Sequence, residues 1–410
     1  MSTDWLAAAQ TRVGPSDERA VQRRVGLIWA LLFLNVLSFS GGPIIIPIPS
    51  AAGKLITQGS LAVALLLVLT VNRRLLFRPN IFLLLASVLA IISVLVTVQA
   101  LSHVGSLVRA ARLVGFLSVL WLLTPWWGRR DMMLARYQLR YLVGVLALVL
   151  LGAAISPHKA FGFEGRLSGV VWPIPPTQVA HYAAVAAGMA AVLWLSGLLR
   201  RNATLVLFVG GVGIVVLTHT RTALVAMSIG VLVAGMSLFT SRRRVRKVFA
   251  ASLVVALLCA LFFLPALTKW FERGQSSQEL TALTGRTAVW SALVNEPRSR
   301  SQILLGFGLS NKSFNGLPID NGWLAVYQDQ GLVGDVICGL IFFGLLVIAA
   351  HRPRGPARAL SLFLIVYCLI ASFTETGIGD ASTYLMDLTV AASLLTPSAY
   401  AAAIEGWRQP

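Results

Sequence analysis

Acidic residues are scarce in this 410-residue chain: 15 Asp and Glu stand against 34 Lys and Arg, for a formal net charge of +19. Charged residues of both signs make up only 12% of the sequence, about half the share of an ordinary soluble domain. That excludes a charged, water-facing shell around one or several globular domains. Cysteine is also rare. Cys259, Cys338 and Cys368 all lie in apolar runs, without metal-ligand spacing and without an obvious disulfide role. There is no paired-histidine metal motif, no phosphate loop and no GxGxxG fingerprint, so neither a metal nor a nucleotide cofactor is expected. Internal repeats and low-complexity tracts are lacking as well.

What is present is apolar surface. Hydrophobic residues are 57% of the chain, more than a soluble fold of this size can hide, and a lipid bilayer is the partner that solvates it. A bilayer core takes roughly 20 apolar residues per helix. Twelve segments qualify or nearly so: 25–46, 55–72, 80–98, 105–124, 140–156, 177–197, 202–218, 222–240, 248–266, 325–350, 358–373 and 382–400. The expected fold class is an all-α polytopic membrane protein of about twelve transmembrane helices with one long extracytoplasmic loop. Residues 1–24 form an N-terminal tail, 25–400 a single membrane domain that includes the loop 267–321, and 401–410 a C-terminal tail. The first apolar run is too long for a signal-peptide core, and Gly41-Gly42-Pro43 is no convincing cleavage site.

The positive charge is distributed by position. With both ends cytoplasmic, 22 of the 34 basic residues fall in cytoplasmic segments and 10 outside, with Arg109 and Arg112 inside a helix. Such clusters between apolar runs are topology signals, so the basic balance does not imply nucleic acid. The membrane expected is the inner, cytoplasmic one.

Arginine inside a membrane helix is costly, by about 2.5 kcal/mol or more. Arg109 and Arg112 are spaced i, i+3 and share a helix face near its N-terminus, where the dipole adds positive potential. Two guanidinium forks there suit a phosphate or diphosphate. Snorkelling to headgroups, or pairing with Glu375 or Asp380, explains them nearly as well. Arg221 follows Thr218-His219-Thr220 in a tight turn, with functional and capping roles equally open; His219 alone is more often structural. The segment Gly165-Arg166-Leu167-Ser168-Gly169 runs into Pro173-Ile174-Pro175-Pro176, where proline forbids a regular helix. A fixed loop with Arg166 at the mouth of a bundle could hold a sugar phosphate. His181, one turn into the next helix, reads as a satisfied bundle histidine. In the long loop, Arg286–Val294 reads as a short amphipathic helix, and the aromatics Trp270, Trp290, Phe307 and Phe314 favour an ordered cap. Gly285-Arg286, Gly306-Phe307-Gly308, Ile319-Asp320-Asn321-Gly322-Trp323-Leu324 and Gln330-Gly331 complete the constellation. Asp320 is placed to act as a base toward a hydroxyl or to cap the following helix.

These pieces, in this order, resemble the O-antigen ligase and Wzy-type O-antigen polymerase family over about residues 109 to 340. Gly165-Arg166-Leu167-Ser168-Gly169 is similar to the family's G-R-x-S-G loop, and Thr220-Arg221-Thr222-Ala223 to its S-R-x-A turn. Gly285-Arg286 through Asp320-Asn321-Gly322-Trp323-Leu324 is similar to its large outside loop ending in H-N-x-Y-L. The resemblance implies a metal-independent membrane glycosyltransferase of GT-C type. Its donor would be an undecaprenyl-diphosphate-linked glycan and its acceptor a second glycan or glycolipid, with inversion at the anomeric carbon. It implies catalytic roles for Arg221, Arg286 and Asp320, and substrate binding by Arg166, Arg109, Arg112 and Asn321. The chain departs from the family where Asp320 stands in place of a histidine, which leaves ligation and polymerisation both open. A transporter or flippase of a lipid-linked anion is the competing expectation.

Overall fold

A chain in lipid must satisfy every backbone N–H and C=O internally, and the uninterrupted runs of Leu, Val, Ala and Ile do so as helices. The structure, a computed structural model, describes residues 15–39, 44–45, 47–99, 104–129, 131–251 and 286–397. In chain order it comprises α1 (Pro15–Val36), α2 (Ser50–Val71), α3 (Ile81–Gln99), α4 (Val104–Leu123), α5 (Met133–Ile155), the one-turn α6 (Pro157–Ala160), α7 (Pro176–Leu195), α8 (Arg201–Leu217) and α9 (Arg221–Phe239). Then come α10 (Arg286–Asn295), α11 (Arg300–Leu305), the hairpin β1 (Ser313–Phe314) and β2 (Leu317–Pro318), α12 (Gly322–His351), α13 (Pro356–Ala371) and α14 (Thr383–Leu395). The fold is that of a mostly helical, multi-pass membrane protein. Among the described residues seven helices are long and apolar enough to cross a membrane: α2, α3, α4, α5, α7, α9 and α12. The apolar helices α8, α13 and α14 are shorter. The span expected at 248–266, and loop residues 267–285, lie largely or wholly outside the described residues; 243–251 are helical.

Most expected spans agree with the helices to within a few residues. The first does not. Instead of 25–46, α1 begins at Pro15 and ends at Val36, and the described residues 37–39, 44–45 and 47–49 are not helical, Pro47 and Pro49 being unable to continue a helix. Its first turns extend the helix beyond the apolar run.

Loop contacts sort the connections into two ends of the bundle. At one end Leu167 N donates to Leu217 O, Trp172 Nε1 to Ser38 O and Gly322 N to Ser372 O. At the other, Asn72 Nδ2 donates to Leu122 O, Gly128 N to Ser393 O, and Arg352 to Leu395 O. The segments expected on one side of the membrane from their basic residues thus share an end.

Helix α7 lies at the centre, and its Ala-rich face, from Ala183 to Ala191, is buried throughout. Small residues let helix backbones approach closely where lipid offers no hydrophobic driving force. A Cβ on Gly188 would stand 2.0 Å from the ring of Phe363 in α13, and one on Gly211 in α8 would stand 2.9 Å from Ala183 O. Helix α12 is broken at Gly331, whose φ is 67°. The glycine-containing stretch after α11 enters that break: Phe307 N donates to Gln328 O at 3.0 Å and Gly308 N to Asp329 O at 2.9 Å. The sequence element Gly306-Phe307-Gly308 is therefore the backbone plug of a discontinuous helix. Residues 286–321 form an ordered cap with a small core of Leu293, Phe314, Ile319 and Ala325, and Trp290 Nε1 donates to Ile319 O at 2.7 Å.

Candidate functional site

At the end of the bundle that carries the cap, a cavity of about 570 Å³ opens among the helix termini. Its cations are Lys54, Arg109, Arg112 and Lys312, and its carboxylates Asp320, Glu375 and Asp380. Residues of the first turns of α7 and α14 also line it, so two N-terminal dipole ends add to the positive potential there. Asn35 to Phe39 form another wall.

The spacing of Arg109 and Arg112 brings both into the cavity, as their shared helix face requires. Arg112 is anchored: its Nε donates to Asn35 Oδ1 at 3.0 Å and its Nη2 to Asn35 O at 2.8 Å. Asp380 lies within electrostatic range of it. Arg109 makes no ion pair or hydrogen bond among the described residues. Asp380 is instead held by Lys312, with Nζ 3.6 Å from Oδ2. Neither arginine is closed in an Arg–carboxylate pair among the described residues.

Asp320 stands between the cavity and the cap. Its Oδ2 is 3.1 Å from Arg286 Nη2 at the start of α10. The backbone of Asp320 is left-handed, with φ 43°, a conformation Asp and Asn tolerate better than most residues. The cap of α12 is the next residue: Asn321 Oδ1 accepts from Leu324 N at 3.0 Å, and Asn321 Nδ2 donates to Phe373 O at 3.2 Å. The capping role open to Asp320 in the sequence belongs to Asn321, whose side chain is buried and is not part of the cavity wall.

Arg166 ties two of the motif segments together. Its Nε donates to Thr218 O at 2.9 Å and its Nη2 to Thr220 Oγ1 at 3.3 Å, which fixes the Gly165 loop to the turn that leads into Arg221. Burial depresses the Arg166 guanidinium, against the attraction of Glu164, Glu375 and Asp320 nearby. Arg166, Arg286, Asp320 and Glu375 thus form one electrostatic neighbourhood. Arg221 begins α9 beside that turn and does not line the cavity.

Several site residues were not singled out from the sequence. Glu375, reached by the return from α13, has its carboxyl pushed up to about 7, by burial first and then by Asp320, against the pull of Arg286 and Arg166. It makes no ion pair among the described residues. Lys54, Lys312 and Asp380 enter from segments far apart in the chain. At the inner wall lies His181, which the sequence reads as a satisfied bundle histidine. Its Nε2 is 3.0 Å from Asp387 Oδ2, with both side chains buried. That contact is an ion-pair distance without a hydrogen bond, and Nδ1 has no partner. Asp387 Oδ1 accepts from Gln138 Nε2 at 2.7 Å, and Gln138 Oε1 from Trp29 Nε1 at 3.0 Å.

Among the described residues no cluster of three His, Cys, Asp or Glu side chains has the geometry to hold a metal ion. Arg298, by contrast, is structural. Its buried guanidinium sits over the rings of Phe307 and Tyr327, at 5.0 and 4.7 Å from their centroids, and donates to Gln328 Oε1 at 2.6 Å. Comparison with protein-family models and with curated proteins finds no match for this chain.

Proposed function

We propose that this protein transfers a glycan from undecaprenyl diphosphate to a glycan or glycolipid acceptor, at the outer face of the inner membrane. The cavity carries this reading: four cations and two helix N-termini gather at one end of a membrane bundle, beside an Arg–carboxylate pair. Such a set favours an anion that arrives from lipid. In the reaction the acceptor oxygen attacks the anomeric carbon and the bond from that carbon to the diphosphate oxygen breaks. The acceptor proton passes to Asp320. The leaving diphosphate keeps the bonding electrons, and Arg109, Arg112 and Arg286 stabilise its charge. Arg166 and Arg221 hold the neighbouring turn in place. Both chain termini are assigned to the cytoplasmic side, from the distribution of basic residues. The fold is GT-C-like, and the transfer, ligation or polymerisation, needs no metal or cofactor because the guanidinium groups neutralise the diphosphate.

The test is transfer by the purified protein with Arg286 replaced. Arg286→Ala abolishes turnover, and Arg286→Lys recovers little, because an ammonium lacks the planar fork that grips two oxygens. Full turnover in Arg286→Lys contradicts two-point binding of the diphosphate.

The second reading, a flippase for a lipid-linked anion, draws on one observation. Helix α12 is discontinuous at Gly331 with Asp329 and Gln330 buried at the break, and interrupted helices are common at transport sites. Backbone groups of residues 307 and 308 fill that break, which favours a fixed helix over a moving one.

A further inference from the structure

The inner wall of the cavity differs in chemistry from its rim. The rim carries the charged groups, four cations and three carboxylates. The wall is formed by Thr177, Gln178, His181 and Tyr384, which are uncharged or, for His181, paired with a carboxylate. Three aromatic rings surround the imidazole: Tyr384, Tyr367 and Tyr182, with centroids at 4.4, 5.3 and 5.8 Å. A diphosphate has little to gain from this wall. A hydroxylated ring does, because it presents both hydrogen-bond donors and an apolar face to aromatic side chains.

The polar atoms of the wall are also incomplete. His181 is 3% exposed and Asp387 is fully buried. His181 Nδ1, His181 Nε2 and Asp387 Oδ2 all lack a hydrogen bond. Buried polar atoms are nearly always satisfied, and each exception calls for an explanation. Here the pair is built in from behind. Asp387 is held by Gln138, and Gln138 by Trp29, so a polar chain crosses α14, α5 and α1 to reach a histidine of α7 at the cavity. A chain serving structure alone would end on a satisfied group. This one ends on an imidazole that lines the cavity.

We propose that His181, held from behind by Asp387, forms the saccharide-binding wall of the cavity with Tyr384, a sugar hydroxyl completing the hydrogen bonds of the imidazole and the sugar ring lying against Tyr384. This assignment rests on the glycan-transfer reading and deepens it. The rim takes the diphosphate, and the wall takes the sugar next to it. His181 is then a positioning residue for the saccharide.

Two probes separate the two parts: undecaprenyl diphosphate without sugar, and undecaprenyl-diphosphate-linked N-acetylglucosamine. Binding of each to the purified full chain in detergent is measured for wild type, His181→Gln and Asp387→Asn. One neutral hydrogen bond is worth about 0.5–1.5 kcal/mol, so each variant should lose roughly threefold to tenfold for the sugar-bearing probe and nothing for the bare diphosphate. Because a buried substitution can disturb folding, the wild type is also followed by ¹⁵N-histidine NMR, where the sugar-bearing probe should move the His181 ring signals and the bare diphosphate should not. Equal losses for both probes, or a His181 signal that ignores the sugar, overturns the assignment while leaving the diphosphate site intact. Failure of wild type to bind either probe overturns the glycan-transfer reading and this assignment with it.

Discussion

Asp320 and Arg286 meet at 3.1 Å with side-chain exposures of 37% and 30%. A pair so open contributes at most about 1 kcal/mol to stability, so its chemistry can be tested without unfolding the protein. Asp320→Asn keeps the shape and tolerates the left-handed backbone. Asn321 rather than Asp320 caps α12, so no cap is lost. We predict that Asp320→Asn lowers the transfer rate by about 10²–10⁴, the usual worth of a general base, with a thermal midpoint close to wild type. Normal turnover removes Asp320 from the proton path. Glu375 allows a different test. Its carboxyl is raised from 4.5 to about 7, so between those values the folded protein holds a proton that the unfolded chain releases. That contribution is present below pH 4.5 and is lost as pH rises through about 7. Glu375→Gln should therefore gain stability relative to wild type in melts at pH 8 and not at pH 5. A difference that does not change with pH contradicts the assigned burial and its charged neighbours. The guanidinium groups at the site were legible in the sequence because intramembrane and turn arginines are few. Glu375 and Asp380 were noticed only as partners, although carboxylates are rare here. Asp387 and the working face of His181 were not legible, because what marks them is an unsatisfied contact between α7 and α14, more than two hundred residues apart.

Among the elements, α12 and its plug carry the sharpest constraint. A Cβ at Gly331 would lie 2.3 Å from the carbonyl of Leu304, and one at Gly306 would lie 2.4 Å from Gln330 N, both at positive φ. Backbone meets backbone at both points, so no side chain can yield. Gly331→Ala should destabilise the protein by more than about 2 kcal/mol, combining strained dihedrals with the clash, as read from thermal melts in detergent. A stability within 0.5 kcal/mol of wild type, roughly the scatter of neutral surface changes, would show that the break is not packed as described. The sequence exposed these glycines as unusual but could not say that they meet, since the partners of the break come from the preceding loop. Helix ends were legible where charge or proline bounds an apolar run, as at Pro176 and Pro356. They were not legible at α1, where the helix continues outward into polar residues and stops short of the apolar segment that follows.

At the scale of the whole molecule, basic residues serve two different purposes at the two ends. Clusters such as Arg73-Arg74 and Arg242-Arg243-Arg244 crowd the loops of one end. Among the cations of the other end, Lys54, Arg109, Arg112 and Lys312 line the cavity. The apolar runs made a multi-pass bundle legible, since only helices of that length satisfy a backbone in lipid. The direct test of the account is a reconstitution. Purified protein in liposomes is given undecaprenyl-diphosphate-linked oligosaccharide with a labelled glycan, together with an oligosaccharide acceptor. Release of undecaprenyl diphosphate, the label's arrival on the acceptor and the donor's movement between leaflets are all measured. The account predicts release and glycan transfer in equal amounts, both lost in Arg286→Ala, with no movement of donor between leaflets. Movement of intact donor across the bilayer without release of diphosphate would contradict it.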